Sequence, residues 1–169
     1  MDDIEKIRKE IDEIDNQLLC LLEKRAENVK KITEIKTKSN KPIYDPSREK
    51  KIIEKHIEKK FKYLKKEDIE LIMDTVLKIY RGLFKPLNIA FLGPEGTFTH
   101  QAALKKFGGK CHFIPSKAVE DVFKEVEKGR CNYGVVPIEN SMEGVVTYTI
   151  DMFLESNLKI TSEILLEIH

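Results

Sequence analysis

The sequence has little of several features that mark specialised classes of protein. Its 169 residues contain three cysteines, Cys20, Cys111 and Cys131, without CxxC spacing, so we expect reduced, mostly buried thiols of a cytoplasmic protein. The net charge is +1, which argues against a general nucleic-acid or membrane role. We find no signal peptide and no apolar run long enough to cross a membrane. The length suits one domain or two small ones.

Proline and glycine are absent from the first 38 residues. The apolar residues there recur at spacings of three and four: Ile4, Ile7, Ile11, Ile14, Leu18 and Leu21. This pattern predicts one amphipathic helix of roughly 35 residues and about 50 Å. Arg25 occupies the next apolar position, and Lys36 lies about three turns further along nearly the same face. Such cations either extend to water, pair with carboxylates of another helix, or meet an anionic ligand.

Two further helices are predicted before Pro86. Asp45 suits the N-cap of the second helix and Pro46 its first position, and the third should span residues 66–84. The expected apolar faces are Ile52, Ile53, Ile57 and Phe61 on the second helix, and Ile69, Ile72, Met73, Val76, Ile79, Tyr80 and Leu83 on the third. Two short helices cannot cover the apolar length of the first. We therefore predict a dimer through residues 1–85.

From residue 87 onward, short apolar runs alternate with amphipathic ones. We expect strands at 87–92, 111–114, 133–137 and 160–168, and helices at 99–107, 118–128 and 145–154, the first of them capped by Thr99. This alternation predicts a largely parallel sheet with helices on its faces. Two loops, 93–98 and 139–141, follow strands, where such sheets bind ligands. Taken alone, the glycine-containing loop 93–98 lacks the GxGxxG spacing of dinucleotide-binding folds and is better explained as an ordinary strand-to-helix turn.

Five polar residues fall in register on the helical pattern of the first part: Arg8, Arg25, Lys36, Arg48 and Glu49. Together with Asp45-Pro-Ser before the last two, this pattern over residues 1 to about 85 resembles the all-helical chorismate mutases. That family forms an intertwined helical dimer and rearranges chorismate to prephenate without cofactor, metal or covalent intermediate. The resemblance implies that Arg8, Arg25 and Arg48 hold the substrate carboxylates. It also implies that Lys36 meets the ether oxygen, that Glu49 takes the ring hydroxyl and that Asp45 lies at the site through its backbone.

The chemistry suits these residue types. Arginine forks match carboxylates, and a buried lysine suits an oxygen that becomes negative. Arg8 and Arg25 are about 25 Å apart along one helix, so the resemblance implies that the partner subunit supplies Arg8. Each residue also has a structural explanation: Asp45 as a cap, Glu49 as a first-turn acid favoured by the helix dipole, and Arg48 as a solvated i,i+3 partner.

One departure from the family pattern lies near the end of the third helix. The family places a Gln or Glu donor there, beside the ether oxygen, and often a small hydroxyl residue before it. An ungapped comparison puts Phe84 and Tyr80 at these positions of the substrate site. Phenylalanine cannot donate a hydrogen bond, so either the register shifts by a residue near Lys85 or the enzyme relies on Lys36 alone.

The two loops of the second part carry a second resemblance. The segments FLGPEGTFT and VVPIENSMEG resemble the opening half of prephenate dehydratase, whose catalytic domain is similar to a two-lobed periplasmic binding protein. The resemblance implies that Glu139, Asn140 and Ser141 line the prephenate site. It places a second set opposite them: Gly96, Thr97 and Phe98. His100, on the helix that follows, is interpreted as structural.

The predicted organisation is therefore an all-α mutase domain over residues 1–86, followed over 87–169 by the first part of an α/β dehydratase domain. The order matches the bifunctional enzyme of phenylalanine biosynthesis. The later Thr-Arg-Phe motif of the dehydratase family does not occur, so we expect a truncated piece that forms prephenate but no phenylpyruvate above the spontaneous rate. Two alternatives stay open: a second part that only binds an aromatic acid and regulates the mutase, and a helical part that serves only as a dimerisation arm.

Overall fold

The structure is a computed structural model that describes residues 2–108, 110–140 and 144–167. The chain forms two compact units, Met1–Ile43 and Tyr44–His169. Among the residues described, no helix has both the length and the apolar character needed to cross a membrane.

The first unit consists of helix α1, Asp3–Lys38, and the turn that follows it. Its 36 residues correspond to about 54 Å, so the predicted long helix is confirmed. Acidic residues in the first turn and lysines in the last turn both favour the helix dipole. The helix ends at Lys38, and the backbone N–H of its C-cap, Ser39, donates to the Ile35 carbonyl. Asn40 adopts a left-handed conformation with φ of 52°.

The apolar stripe of α1 is exposed along its length. Of the residues of α1, only Ala26 and Thr33 are buried. The stripe itself is more than half exposed: Ile4, Ile7, Ile11, Ile14, Leu18 and Leu21. Burial within this chain therefore does not explain the apolar pattern of the helix.

Two helices open the second unit, α2 at Pro46–Ile57 and α3 at Lys66–Tyr80. The predicted N-cap is confirmed, because the Asp45 side chain accepts the Arg48 backbone N–H at 2.9 Å. The expected end of α3 at Phe84 is wrong. The chain turns at Gly82, where φ is +78° and a Cβ would lie 2.9 Å from the Lys110 carbonyl oxygen, so the helix stops at Tyr80.

The expected apolar faces of α2 and α3 are partly wrong. Phe61 lies beyond the end of α2 and is half exposed. Ile72 and Ile79 are also exposed, since the buried face of α3 is set by Ile69, Leu77 and Tyr80 and they lie to one side of it. The periodicity identifies the helix, but its rotation depends on what packs against it.

A parallel sheet follows, as predicted, in the order β2-β1-β3. Strand β1 spans Asn88–Leu92, β2 spans His112–Ser116 and includes Pro115, and β3 spans Tyr133–Val135. Helices α4, Phe98–Phe107, and α5, Val119–Glu127, pack on the sheet. The N-cap of α4 is Thr97 rather than the expected Thr99.

Side chains of β1 alternate between two cores. Ile89 and Phe91 face a cluster that includes Ala103 and Phe107 of α4, whereas Ala90 faces Val122 of α5 and Cys131. This period of two is expected of a strand that is covered on both faces.

The rest of the second unit departs further from expectation. Residues 139–140, expected as a loop, form strand β4, Glu139–Asn140, which pairs antiparallel with β5, Gly144–Val145. Helix α6 follows at Thr147–Glu155. The expected strand at 160–168 is wrong over the described residues 160–167, which form no strand. Ile164 and Leu166 pack on the core while Leu165 is 83% exposed, so the alternation is real but the segment joins no ladder.

Candidate active site

Three of the expected mutase residues lie on α1. Arg8 is exposed, whereas Arg25 and Lys36 are partly buried. Seventeen residues separate Arg8 from Arg25 in one continuous helix, which is about 25 Å. A single copy of α1 therefore does not bring these two arginines to one small ligand.

The Lys36 side chain folds over the turn that ends α1. Its Nζ donates to the Ile43 carbonyl at 3.0 Å, and its own carbonyl accepts the Lys41 N–H at 2.9 Å. An ammonium group has three donors, so this contact holds the amine in place and leaves donors for a further acceptor.

The start of α2 fixes three more expected residues. Asp45 caps the helix and is exposed, and Arg48 is exposed one turn later. Glu49 is different, because its side chain is only 20% exposed and both carboxylate oxygens accept hydrogen bonds from Arg81. Neighbouring residues on a helix point about 100° apart, so Arg48 faces solvent while Glu49 faces the interior.

Arg81 is a residue that the sequence analysis missed. Its side chain is 4% exposed, its Nε lies 3.2 Å from Oε1 of Glu49, its Nη2 pairs with Oε2, and its Nη1 donates to the Lys106 carbonyl. The guanidinium carbon lies 4.6 Å from the centre of the Tyr44 ring and 6.0 Å from that of Phe107. We call these five residues the Arg81 cluster.

Burial and charge in the Arg81 cluster shift the pKa values of Tyr44 and Lys106. Burial raises the pKa of Tyr44 to about 12, and the Arg81 charge opposes this shift. Burial, and then the Arg81 charge, lower the pKa of Lys106. The Tyr44 hydroxyl is buried and has no hydrogen-bond partner among the described residues.

A sequence signal for Arg81 exists. Arg81 follows the buried Leu77 by four residues, so it continues the apolar face of α3 just as Arg25 continues that of α1. A cation at such a position marks either a snorkelling side chain or a buried pair. Applied to α3, the reasoning used for Arg25 would have singled out Arg81.

The two aromatic residues expected at the substrate site lie in different environments. Tyr80 is buried in the last turn of α3. Phe84 lies beyond the helix and is 39% exposed. Their expected roles in binding substrate remain predictions.

The first expected dehydratase loop follows β1. The Thr97 hydroxyl caps α4 by accepting the His100 N–H at 3.3 Å, and it lies 3.0 Å from the Pro94 carbonyl, to which it can donate. Gly96 has φ of +85° with open space at its Cβ position, and its N–H donates to Nδ1 of His100 at 3.0 Å. The His100 ring stacks on Phe91 at 4.6 Å, which agrees with a structural role. Phe98 is half exposed.

The second expected loop lies beyond the carboxyl end of β3. Glu139 is exposed and Asn140 is partly buried, and both belong to β4. Ser141, expected in the same site, lies outside the described residues. Because β1 and β3 are parallel neighbours, the segments that follow them both leave from the carboxyl ends of the strands, on the same side of the sheet.

Family models match nearly the whole chain in two parts. Residues 7–85 match chorismate mutase type II, and residues 89–169 match prephenate dehydratase. The helical part thus matches one family model and the α/β part matches another.

Curated proteins that are similar to this chain are named after both families. The chain is 47% identical to the bifunctional chorismate mutase/prephenate dehydratase of Aquifex aeolicus strain VF5, over 99% of this chain and 48% of the relative. It is 40% identical to the protein of the same name from Pseudomonas aeruginosa, over 99% of this chain and 47% of the relative. The chain thus spans about half the length of these curated relatives.

Two solved structures are also similar to parts of the chain. Chorismate mutase from Thermus thermophilus is 27% identical with a TM-score of 0.45, over 46% of this chain and 96% of that one. Prephenate dehydratase from Streptococcus mutans is 38% identical with a TM-score of 0.40, over 42% of this chain and 37% of that one. Both scores are below 0.5, so the assignment rests on the sequence matches.

Proposed function

We propose that the chain rearranges chorismate to prephenate, because residues 7–85 match chorismate mutase type II and residues 89–169 match prephenate dehydratase. The match of residues 7–85 carries the proposal. The chemistry needs no covalent help from the protein: an ether bond breaks as a carbon–carbon bond forms. The protein must hold a compact conformer and stabilise charge on the ether oxygen.

Within this proposal the polar residues have distinct roles. Arg8, Arg25 and Arg48 bind the two carboxylates, and Asp45 contributes through its backbone. Lys36 meets the ether oxygen; the hydrogen bond that holds its amine beside the turn at residue 43 supports this role. Glu49 accepts the ring hydroxyl, and Tyr80 and Phe84 line the site. The low exposure of Glu49 supports this role, because a carboxylate held in place is better suited to binding than one on a freely moving surface side chain.

We further propose that two copies pair through α1 in an intertwined dimer. The exposed stripe of α1 supports this, since an exposed apolar surface of this length favours a partner. Pairing also resolves the separation of Arg8 from Arg25, because the second copy would supply Arg8.

The dimer is tested by one stripe variant and one control. Leu18→Asp, on the stripe, should shift the mass measured by sedimentation toward a monomer and lower mutase activity. Asn16→Asp introduces the same residue on the exposed α1 surface away from the stripe, and should do neither. A monomeric wild-type chain at micromolar concentration with full mutase activity would contradict the proposal.

The mutase site is tested by removing its cations. Arg25→Ala and Lys36→Ala should each lower kcat/KM by at least about a hundredfold, near 3 kcal/mol of transition-state stabilisation. Helix content should barely change, because alanine favours helix. Lys30→Ala, an exposed lysine of the same helix, is the matched control and should leave turnover unchanged. Near-normal turnover of either site variant would show that these cations are surface residues.

For the second part, we propose that residues 87–169 form a prephenate-binding wall of a domain similar to a periplasmic binding protein. Within this proposal, Gly96, Thr97 and Phe98 line the site together with Glu139 and Asn140, and Ser141 stays a prediction outside the described residues. The departure of both segments from one edge of the parallel sheet supports this proposal. Incubation of the 169-residue chain with prephenate, followed by a phenylpyruvate assay against a no-enzyme control, tests our expectation that no dehydration above the spontaneous rate occurs.

The names of the relatives favour biosynthesis over regulation alone. Both are called bifunctional chorismate mutase/prephenate dehydratases, and no observation favours a second part that only regulates the first. We therefore propose that the chain acts in the formation of phenylalanine from chorismate, and, as a separate proposal, that it does so in the cytoplasm. Because the chain spans about half the length of these relatives, their dehydratase activity stays a proposal for a protein of the relatives' full length.

A further inference from the structure

We propose that Arg81 is a positioning residue for the mutase reaction, because it fixes the carboxylate of Glu49 that receives the substrate hydroxyl. This inference rests on the proposed function and goes beyond it by assigning a role to a residue outside the family pattern. The observation behind it is the two-pronged pairing of the Arg81 guanidinium with both oxygens of Glu49.

The arginine is held from several sides. Its side chain is 4% exposed, with the Tyr44 ring against the guanidinium at 4.6 Å. The Lys106 carbonyl accepts from Nη1, so each of the three guanidinium nitrogens donates to a fixed acceptor. A guanidinium held in this way cannot follow a moving carboxylate; instead it determines where the carboxylate lies.

The pairing leaves Glu49 able to bind. A carboxylate has about four acceptor sites, and Arg81 occupies two of them. Glu49 is still 20% exposed, so the remaining lone pairs are accessible to a hydroxyl. Arg81 therefore removes the rotational freedom of Glu49 before substrate arrives, which lowers the entropic cost of binding.

The anchor belongs to the dehydratase part of the chain. Lys106 lies in the last turn of α4, and α4 begins at Phe98, the last residue of the loop 93–98. The position of a mutase carboxylate thus depends on a helix from residues 89–169. The fork also requires arginine: lysine presents one ammonium and cannot contact both oxygens and the Lys106 carbonyl in the same geometry.

The experiment is a double-mutant cycle on the full chain with chorismate as substrate. Its members are wild type, Arg81→Met, Glu49→Gln and the double variant, with Arg81→Lys as a conservative variant. The chain offers a matched control in Arg130→Met. Arg130 forms the same two-pronged pair with Glu125, but its side chain is 53% exposed and it has no role in the proposed site.

If Arg81 acts through Glu49, Arg81→Met should lower kcat/KM by at least about tenfold. The double variant should be no worse than Glu49→Gln alone, because the second change then has nothing left to position. The loss of kcat/KM in Arg81→Met should also be shared between KM and kcat in the same proportion as the loss in Glu49→Gln. A purely structural role would lower the folded fraction, and so the apparent kcat, with KM unchanged. Arg81→Lys should recover part of the loss, and Arg130→Met should match wild type.

Three outcomes overturn the inference while wild type remains active. They are an Arg81→Met variant within twofold of wild type, a double variant whose loss is the product of the two single losses, and an Arg81→Met defect in kcat alone. If Arg81→Met does not fold, the double variant and Arg81→Lys decide the outcome, because removing both partners avoids an unpaired buried carboxylate. An inactive wild-type chain would overturn the proposed function itself, which is a different result.

Discussion

Tyr44→Phe should stabilise the second unit, and the gain should increase at alkaline pH. Tyr44 is 5% exposed, and its hydroxyl has no partner among the described residues. A buried hydroxyl without a hydrogen bond costs about 1–3 kcal/mol. Phenylalanine retains the ring that contacts Phe107, Tyr133 and the Arg81 guanidinium. We therefore expect a gain of about 1 kcal/mol at neutral pH.

The larger gain at alkaline pH follows from the burial of the Tyr44 hydroxyl. Burial raises the pKa of Tyr44 from 10.0 to about 12. Because the pKa of the Tyr44 hydroxyl is higher in the folded chain than in the unfolded chain, wild type keeps its full stability below about pH 10 and loses stability as the pH rises toward 12. The loss in wild type should be about 1.4 kcal/mol near pH 11 and about 2.7 kcal/mol above both pKa values. The Phe variant has no such group and should not show this loss.

Urea unfolding followed by circular dichroism, from about pH 7 to pH 11, measures both effects. The informative quantity is the difference between wild type and Tyr44→Phe, because titration of lysines affects both proteins alike. Tyr63→Phe, at a side chain that is 82% exposed, is the control and should match wild type throughout. Parallel stability curves for wild type and Tyr44→Phe up to pH 11 would refute the reasoning, and so would a clear loss of stability at neutral pH.

Two further predictions concern local structure. Asp45→Ala should destabilise the second unit by about 1 kcal/mol, because the start of α2 loses its side-chain cap; an unchanged urea midpoint would contradict this. In a Cys20→Ser background, Cys111 and Cys131 should resist DTNB near pH 8 until the protein unfolds, because burial raises the pKa of both thiols. Rapid labelling of either thiol in the folded chain would show that it is accessible.

The elements of the first part could largely be predicted from local chemistry. The uninterrupted spacing of apolar residues gives α1, and the Asp-Pro pair gives the start of α2. The end of α3 could not be predicted, because it depends on Gly82 turning against the Lys110 carbonyl, a contact between distant residues. For the same reason the buried face of α3 is rotated from the one that periodicity alone suggests.

The parallel sheet could also be predicted, whereas its accessory strands could not. The alternation of apolar and amphipathic segments requires β1, β2 and β3. The two-residue strand β4 exists only because Val145 and Gly144 pair with it. Residues 160–167 have strand-like alternation but no ladder partner among the described residues.

The residues of the candidate site also differ in whether local sequence or contacts between distant segments reveal them. Residue types and spacing single out Arg25 and Lys36, since charge on an apolar helix face is visible in the sequence, whereas Glu49 is identified through the family resemblance. Arg81 shares that signal, but its significance comes from Glu49 on another helix and the Lys106 carbonyl on a third element. The family resemblance extends over residues 1 to about 85 and does not include this contact. Partners that converge from separate segments become visible only once the chain is folded.

Pro115 in strand β2 has a consequence for how the chain behaves at high concentration. The His112 N–H donates to the Leu87 carbonyl, and the Ser116 carbonyl accepts from Gly93, so even-numbered residues of β2 bond toward β1. Pro115, at an odd position, therefore puts its missing N–H on the outer edge. A strand from another molecule that pairs with this edge would lack one backbone hydrogen bond, the one that the N–H of residue 115 would otherwise donate. The β2 edge of the sheet thus disfavours the addition of a strand from another molecule.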